Sequence, residues 1–557
     1  MTGPAADPGP TFAQSSDAAP ARAPRRTLPP LFVSLLGVLA LLFLVSVSAA
    51  GQSGAADRVL PVEPSPWELG IYTGGHITDR DIYHELGMVG VYDSGIFRMS
   101  MDFAARNDEK YVSAEPITMM GYYFDFREGK VELNLDPLTI RGGRVAHRDE
   151  LATPYSLFIS SWAPAAIVLE LAYEDSFFFY KSRWIELTRN SRNFQQRIPV
   201  YEWPPPGNGE GNVEQDPPTW PPVDGDGDLI GYHWDPLDRG ANYKVYGVKL
   251  GDWRVGFQES VVYLNQTFYP EYFLSPLPMY FTQLFNTEGD FPWVQRDDEN
   301  NHMGFFVDHT VPGSWTYFQF LMGDINLNFL TTQDRSHPQK WAWSFGGTRD
   351  TRHGRFGFFH AGATKYTFAA TAVRGDNYST KRYEYTYWPA VEFPYKETLN
   401  AIDYRDNYIG YLYGENNLAF MFTWENQVNQ WWVDAMAEFV VSGSKSPANP
   451  WHEYRGHPGR FGDSNAPHYI HLLNESPLEW TFRLGTTVSR SIGPWDFTAS
   501  AMMGAVFNEL QVTAVPDDPP FDDQSKPEPA LYKPSDENRL LFEFFLGLQY
   551  NFGVRPR

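Results

Sequence analysis

The chain has 557 residues, with 44 Lys and Arg against 68 Asp and Glu, a formal charge of −24, and no cysteine. So acidic a chain is a poor partner for nucleic acid. Without disulfides, an exported chain of this size must be held by its sheet or core alone. Mean hydropathy is negative, which is odd for a helical membrane protein but ordinary for a barrel, where only alternate residues meet lipid.

Leu31 to Val47 is an apolar run preceded by Arg25 and Arg26 and followed by Ser48-Ala49-Ala50. This reads as a secretory signal over residues 1–50, cleaved after Ala49 or Ala50. A retained single-helix anchor is the alternative, because the run sits at the short end of the ~17–25 residues that span a bilayer. Cleavage removes three basic and two acidic residues, leaving 41 against 66, a formal charge of about −25. Residues 51–65 form a polar leader. No later run reaches transmembrane-helix length, so membrane embedding of the remainder requires closed β-strands.

Strand patterns begin soon after residue 66. Tyr122, Phe124 and Phe126 alternate with Tyr123 and Asp125, and Val131, Leu133 and Leu135 alternate with Glu132 and Asn134. Arg127-Glu128-Gly129-Lys130 between them reads as the turn of a hairpin. Ile167–Ala172 fits a helix or a strand. Leu418, Phe420, Phe422 and Trp424 form another alternating set. Trp480 to Val488 and Trp495 to Met503 form a second hairpin about Ser491-Ile492-Gly493-Pro494.

The closing segment is the clearest. Phe542, Phe544, Leu546, Leu548, Tyr550 and Phe552 share one face, with Glu543, Phe545, Gly547, Gln549 and Asn551 opposite. This is a strand with one apolar side, about as long as a tilted strand needs to cross a bilayer. Tyr550 and Phe552 supply the terminal aromatic signal of a chain inserted by the barrel-assembly machinery. The predicted fold is all-β: one large antiparallel transmembrane barrel over residues 66–557. Its length suggests about 16–18 strands with long extracellular loops. Residues ~199–240, ~443–468 and ~514–538, rich in Pro, Gly, Asp and His, are the predicted loops. Aromatics make up 16% of the chain, which girdles at two membrane interfaces would account for.

Few groups suggest chemistry. Trp203, Trp220 and Trp234, with Trp431 and Trp432, are candidates for stacking on sugar rings; aromatic belts and loop packing explain them equally well. Asp224, Asp226 and Asp228 alternate with glycines as in a cation loop. Leu229 stands where a calcium loop needs Gly, and Asp235 where it needs Glu, so a solvated acidic loop or weak cation binding is expected. His452, His457, His468 and His471 match no zinc spacing. Phe461-Gly462-Asp463-Ser464-Asn465 has the nucleophile block of a lipid esterase family but no Asp-x-x-His after it. Arg483 and Arg490 are placed in the lumen. No catalytic residue, metal or cofactor is assigned.

Arg254 to Tyr263, Pro270-Glu271-Tyr272-Phe273-Leu274-Ser275-Pro276-Leu277-Pro278, Asn300, Gly304 to Asp308 and Phe318 to Asn326 follow one another in a distinctive order. Over residues 250–330 this order resembles the capsule-assembly Wzi-like family of outer-membrane barrels. The resemblance implies a barrel of about 18 strands that binds or attaches surface polysaccharide without catalysis. Two features depart from the family: Gly323 replaces one of a pair of acidic residues, and no helical bundle precedes the strands. A porin or solute channel is the alternative function. A soluble glycan-active β-protein is a third class, one that would need a positioned carboxylate pair.

Overall fold

The computed structural model describes residues 67–108, 119–189, 195–199, 232–236, 238–288, 299–324, 339–368, 384–388, 404–445, 471–512 and 532–552. The expected signal and leader lie outside them. The described strands are β1 (Trp67–Thr78), β2 (Ile82–Asp93), β3 (Phe97–Arg106), β4 (Tyr123–Asn134), β5 (Leu138–Val145), β6 (Ala166–Glu174), β7 (Phe178–Thr188), β8 (Gln195–Pro199), β9 (Tyr232–Pro236), β10 (Arg239–Leu250) and β11 (Trp253–Leu264). They continue with β12 (Glu299–Val311), β13 (Ser314–Asp324), β14 (Lys340–Thr351), β15 (Gly354–Ala363), β16 (Asn417–Val428), β17 (Trp431–Ser442), β18 (Glu479–Ile492), β19 (Trp495–Phe507), β20 (Leu510–Val512), β21 (Tyr532–Pro534) and β22 (Arg539–Phe552).

Eighteen of these form one antiparallel sheet in chain order, while β8–β9 and β20–β21 are small separate pairs. The sheet closes because β1 pairs with β2 on one side and with β22 on the other, Leu69 opposite Phe552. Closure leaves no open sheet edge, the condition for a sheet to sit in hydrocarbon. The strand number lies at the top of the expected range.

Connections alternate in length. β2–β3, β4–β5, β6–β7, β10–β11, β12–β13, β14–β15, β16–β17 and β18–β19 are joined by short turns at one end. The Asn429-Gln430 turn has the two positive φ values, 49° and 70°, that a two-residue primed hairpin requires. The other end carries the long connections, apart from the short turn between β1 and β2. This asymmetry is that of outer-membrane barrels, with short periplasmic turns and long outer loops.

Period-two alternation sets the wall. Leu546 is 70% exposed, with Phe544 and Phe552 on its face of β22, and Leu484 and Met503 continue the apolar surface on neighbouring strands. A contiguous apolar belt of this kind belongs in lipid, not water. The expected hairpin at Trp480–Met503 is present as β18 and β19, and Leu418–Trp424 lies on β16. Ile167–Ala172 lies within strand β6.

The expected turn at Arg127–Lys130 is absent; β4 runs straight through it. The pairing of β3 with β4 instead shifts between Asp102 and Phe103, so Phe103 opposes Phe126 and Met101 opposes Gly129. An extra residue reverses the phase of the apolar face, as a bulge does. The sequence pattern of a bulge and of a tight turn is the same here: apolar residues on even positions, then on odd ones.

Among the described residues, helix is confined to Pro270–Leu274, Met279–Glu288 and Tyr404–Asn407. The first two lie in the connection between β11 and β12, the third in that between β15 and β16.

Candidate functional site: a plug inside the barrel

Two connections from the long-loop end fold back into the lumen. The first joins β5 to β6. In it His147, Asp149, Leu151, Thr153, Tyr155 and the run Ser156–Ser160 are all buried. The second joins β15 to β16, and contributes Tyr385, Tyr387, Tyr404, Tyr408, Ile409, Tyr411 and Tyr413 to the same core. Ser160 N–H donates to the Ile409 carbonyl at 2.8 Å, which ties the two together. The Tyr385 hydroxyl donates to the Phe158 carbonyl at 2.5 Å.

Asp149 is the main anchor to the wall. Its carboxylate accepts from the Gln258 amide at 2.6 Å, the Gln319 amide at 2.9 Å, the Tyr243 hydroxyl at 3.0 Å and the Phe158 N–H at 3.0 Å. Gln319 also accepts from the Leu157 N–H at 3.0 Å. Gln258 and Gln319 point inward because they alternate with the outward aromatics Phe257 and Phe320 on β11 and β13. The plug is therefore seated on polar residues that strand alternation obliges to face the lumen. The Glu150 N–H donates to the same carboxylate at 2.6 Å, and a buried carboxylate with five donors is satisfied, where an unpaired one would be costly.

Charge pairs surround this seat. Glu150 lies 2.7 Å from Lys181 Nζ and 3.1 Å from Arg254 Nη1. Burial pushes the Glu150 carboxyl up, but the pull of Lys181 and Arg254 outweighs it and holds it below the usual range. Arg254 also pairs with Asp308 at 3.0 Å. Glu170 bridges Arg183 at 2.5 Å and Arg141 at 2.9 Å. On the opposite side, the Tyr155 hydroxyl donates to Glu438 at 2.8 Å, and Arg483 reaches Glu438 at 3.2 Å and Tyr413 at 2.9 Å. Burial drives His147 well below its ordinary pKa, so its ring is neutral while it shares a 2.7 Å hydrogen bond with the Tyr387 hydroxyl.

The inner face of β1–β4 is wetter. There Arg127 pairs with Glu85, and it reaches the Tyr72 hydroxyl at 3.1 Å, which donates to Asp102 at 2.9 Å. Lys130 lies 3.1 Å from Glu128, and both stay partly exposed. The barrel thus has a packed sector and a charged, partly solvated one.

The residues singled out in the sequence are spread over both ends. Trp203, Trp220, Asp224, Asp226 and Asp228 lie outside the described residues, as do Ser464, His452, His457 and His468. Trp234 sits on β9, opposite Arg197 of β8, in the long connection between β7 and β10. Trp431 and Trp432 lie just after the Asn429-Gln430 turn, at the other end of the barrel. Trp432 shares the inward parity of Glu438, whereas the Trp431 ring carries the Arg490 guanidinium at 5.6 Å. Arg483 faces the lumen as expected. Arg490 does not: it shares the outward parity of Phe482 and Leu484, and it donates to Gln430 at the rim. An arginine there keeps its head in the interfacial water. Tyr550 and Phe552 end the outward face of β22 beside β1.

Sequence reasoning missed the plug. The run Tyr155-Ser156-Leu157-Phe158-Ile159 was the available signal: apolar, yet without the alternation of a wall strand.

No protein family matches the chain, and no curated protein does. Among solved structures it is similar to Wzi of Escherichia coli, described as an outer-membrane protein involved in group 1 capsule assembly and a carbohydrate-binding β-barrel. The identity is 8%, the TM-score 0.47, and the match covers 88% of this chain and 85% of that one. OccD3 (OpdP) of Pseudomonas aeruginosa matches at 12% identity and TM-score 0.38, over 90% of this chain and 94% of that one. OccAB4 of Acinetobacter baumannii matches at 8% and 0.36, over 88% and 100%. The strand pairing described above makes this chain a closed 18-stranded barrel, and the apolar belt on its outer face is that of a transmembrane one.

Proposed function

We propose that this chain is a plugged outer-membrane barrel that binds or attaches surface polysaccharide at its long-loop end, without catalysis. The packed lumen carries the reading: two connections seated on Asp149, Glu150 and Tyr155 make a rigid base for the outer loops. In this reading Trp203, Trp220 and Trp234, all in the connection between β7 and β10, stack on sugar faces. Asp224, Asp226 and Asp228 of the same connection hold a weakly bound cation. Trp431, outward-facing at the far end, serves the interfacial belt instead, while Trp432 beside it has inward parity. The chain reaches the bacterial outer membrane through a cleaved signal over residues 1–50, and the barrel-assembly machinery reads Tyr550 and Phe552.

One observation favours a second reading, a solute channel. The charged side chains on β1–β4 face a sector that the plug leaves partly solvated. Planar-bilayer recording separates the two. A plugged anchor is silent; steady conductance removes the first reading in favour of the second. A deletion strain then tests the glycan directly. Loss of surface polysaccharide retention, restored by the parent chain but not by a Trp203→Ala, Trp220→Ala, Trp234→Ala triple variant, is the expected result.

A further inference from the structure

The outer wall has a polar gap in its lipid-facing belt. On β10, Leu250, Val248 and Tyr246 face outward from the turn, and Lys244 and Asn242 follow on the same face. On β11, Trp253, Val255 and Phe257 are followed by Glu259, which pairs across the strands with Lys244. On β12, Phe305 and Met303 are followed by Asn301 and Glu299. Lys244 is six residues from the turn. A rise of about 3.3 Å per residue at a tilt of about 40° places it roughly 15 Å above the turn, inside an apolar band about 25 Å tall. On β19 and β22 the apolar face continues well past that height, to Phe507 and Leu540.

The connection between β11 and β12 covers this gap from outside. The Trp184 indole, on the outward face of β7, donates to the Thr267 carbonyl at 2.5 Å. Ser182 of the same face donates to the Phe273 carbonyl at 2.7 Å. Lys244 donates to the Ser275 carbonyl and, at 3.2 Å, to that of Leu277. Glu259 accepts from the Met279 and Tyr280 N–H groups at 2.7 and 3.2 Å, at the start of the helix Met279–Glu288. Tyr272 and Met279 pack on Val261 and Tyr263 beneath. Lys244 and Glu259 are thereby fully buried on the outside of the barrel. The cap turns Leu274, Leu277, Tyr280 and Phe281 away from the wall, with Leu274 70% and Leu277 52% exposed.

We infer that residues 265–283 form a lipid-facing cap whose exposed apolar side chains meet the acyl chains of the membrane's outer leaflet. Its occupant follows from continuity: Tyr246, the last belt residue below the gap on β10, donates its hydroxyl to the Leu277 carbonyl at 3.0 Å. Lipid therefore meets strand side chains below this level and cap side chains at it. Uncovered, Lys244 and Glu259 would face hydrocarbon, where an ionisable group is expensive. The Pro-Leu-Pro stretch at 276–278 is then part of a membrane surface, whatever the lumen or the outer loops bind.

The chain has no cysteine, so single-site spin labelling tests this without background. Leu274→Cys and Leu277→Cys are labelled in the full-length protein in phosphatidylcholine vesicles. Leu546→Cys serves as the belt reference and Arg352→Cys, in the exposed β14–β15 turn, as the aqueous one. Folding of each variant is checked by heat-modifiable migration. Power saturation is expected to show oxygen reaching the cap labels more readily than a water-soluble nickel chelate, as at Leu546. Nickel access resembling that at Arg352 overturns the inference, because the cap is then in water. Low access to both overturns it too, because protein then covers the cap.

Discussion

Replacing Asp149 with Ala tests whether one carboxylate seats the plug. The change strips the Phe158 N–H and the Tyr243 O–H of the acceptor they share. The two glutamine amides fare better: Gln258 still donates to the Tyr243 oxygen at 2.6 Å, and Gln319 to Gln258 at 2.8 Å. Two buried donors left without an acceptor, at about 1–3 kcal/mol each, give about 2–6 kcal/mol. At about 1.4 kcal/mol per tenfold, this raises the population of the opened plug by roughly 30-fold to 10⁴-fold. The wall is untouched, since Asp149 belongs to no strand. Hydrogen exchange of peptides from residues 146–165 is the assay. Protection there is expected to fall by that factor while peptides from β18 and β19 keep theirs, and unboiled gel migration is unchanged. Protection within threefold of the parent would refute the reasoning.

Three other perturbations probe different parts of the molecule. Leu546→Arg puts a charge on the outward face about midway along β22 and is expected to cost about 2–4 kcal/mol, read as a lower urea midpoint in lipid vesicles; an unchanged midpoint removes Leu546 from the lipid face. Gly304→Ala would set its Cβ 1.9 Å from the Phe320 carbonyl oxygen. A backbone atom has little room to yield, so a loss of about 1–3 kcal/mol is expected in the same titration. His147, held well below its free pKa by burial, gives the plug a pH dependence. The opened form takes up a proton first, so stability is full above about pH 6.5 and is lost as pH falls below it. Hydrogen-exchange protection of peptides from residues 146–165, corrected for the intrinsic rate at each pH, is expected to fall from pH 7.5 to pH 5, and His147→Gln to flatten that change.

The wall was legible because strand alternation is local. Each outward residue on β16, β18, β19 and β22 is recognisable from its neighbours two positions away, whichever strand it pairs with. The apparent turn at Arg127–Lys130 was misread for the same reason: only the pairing of β3 with β4 distinguishes a bulge from a hairpin. The plug was illegible. Asp149 acquires its meaning from Gln258 and Gln319, 109 and 170 residues away. The opposite placement of Trp234 and Trp431 likewise depends on counting strands between them.

The sequence by itself determined that this chain makes one-sided strands, enough of them to close. Tertiary structure alone decided which connections turn inward to fill the lumen and which one turns outward over Lys244 and Glu259. The physical reason is that a polar residue in a wall strand signals only that it needs a partner. Whether that partner is water, a plug or an external cap is set by closure of the barrel and by the reach of loops distant in sequence.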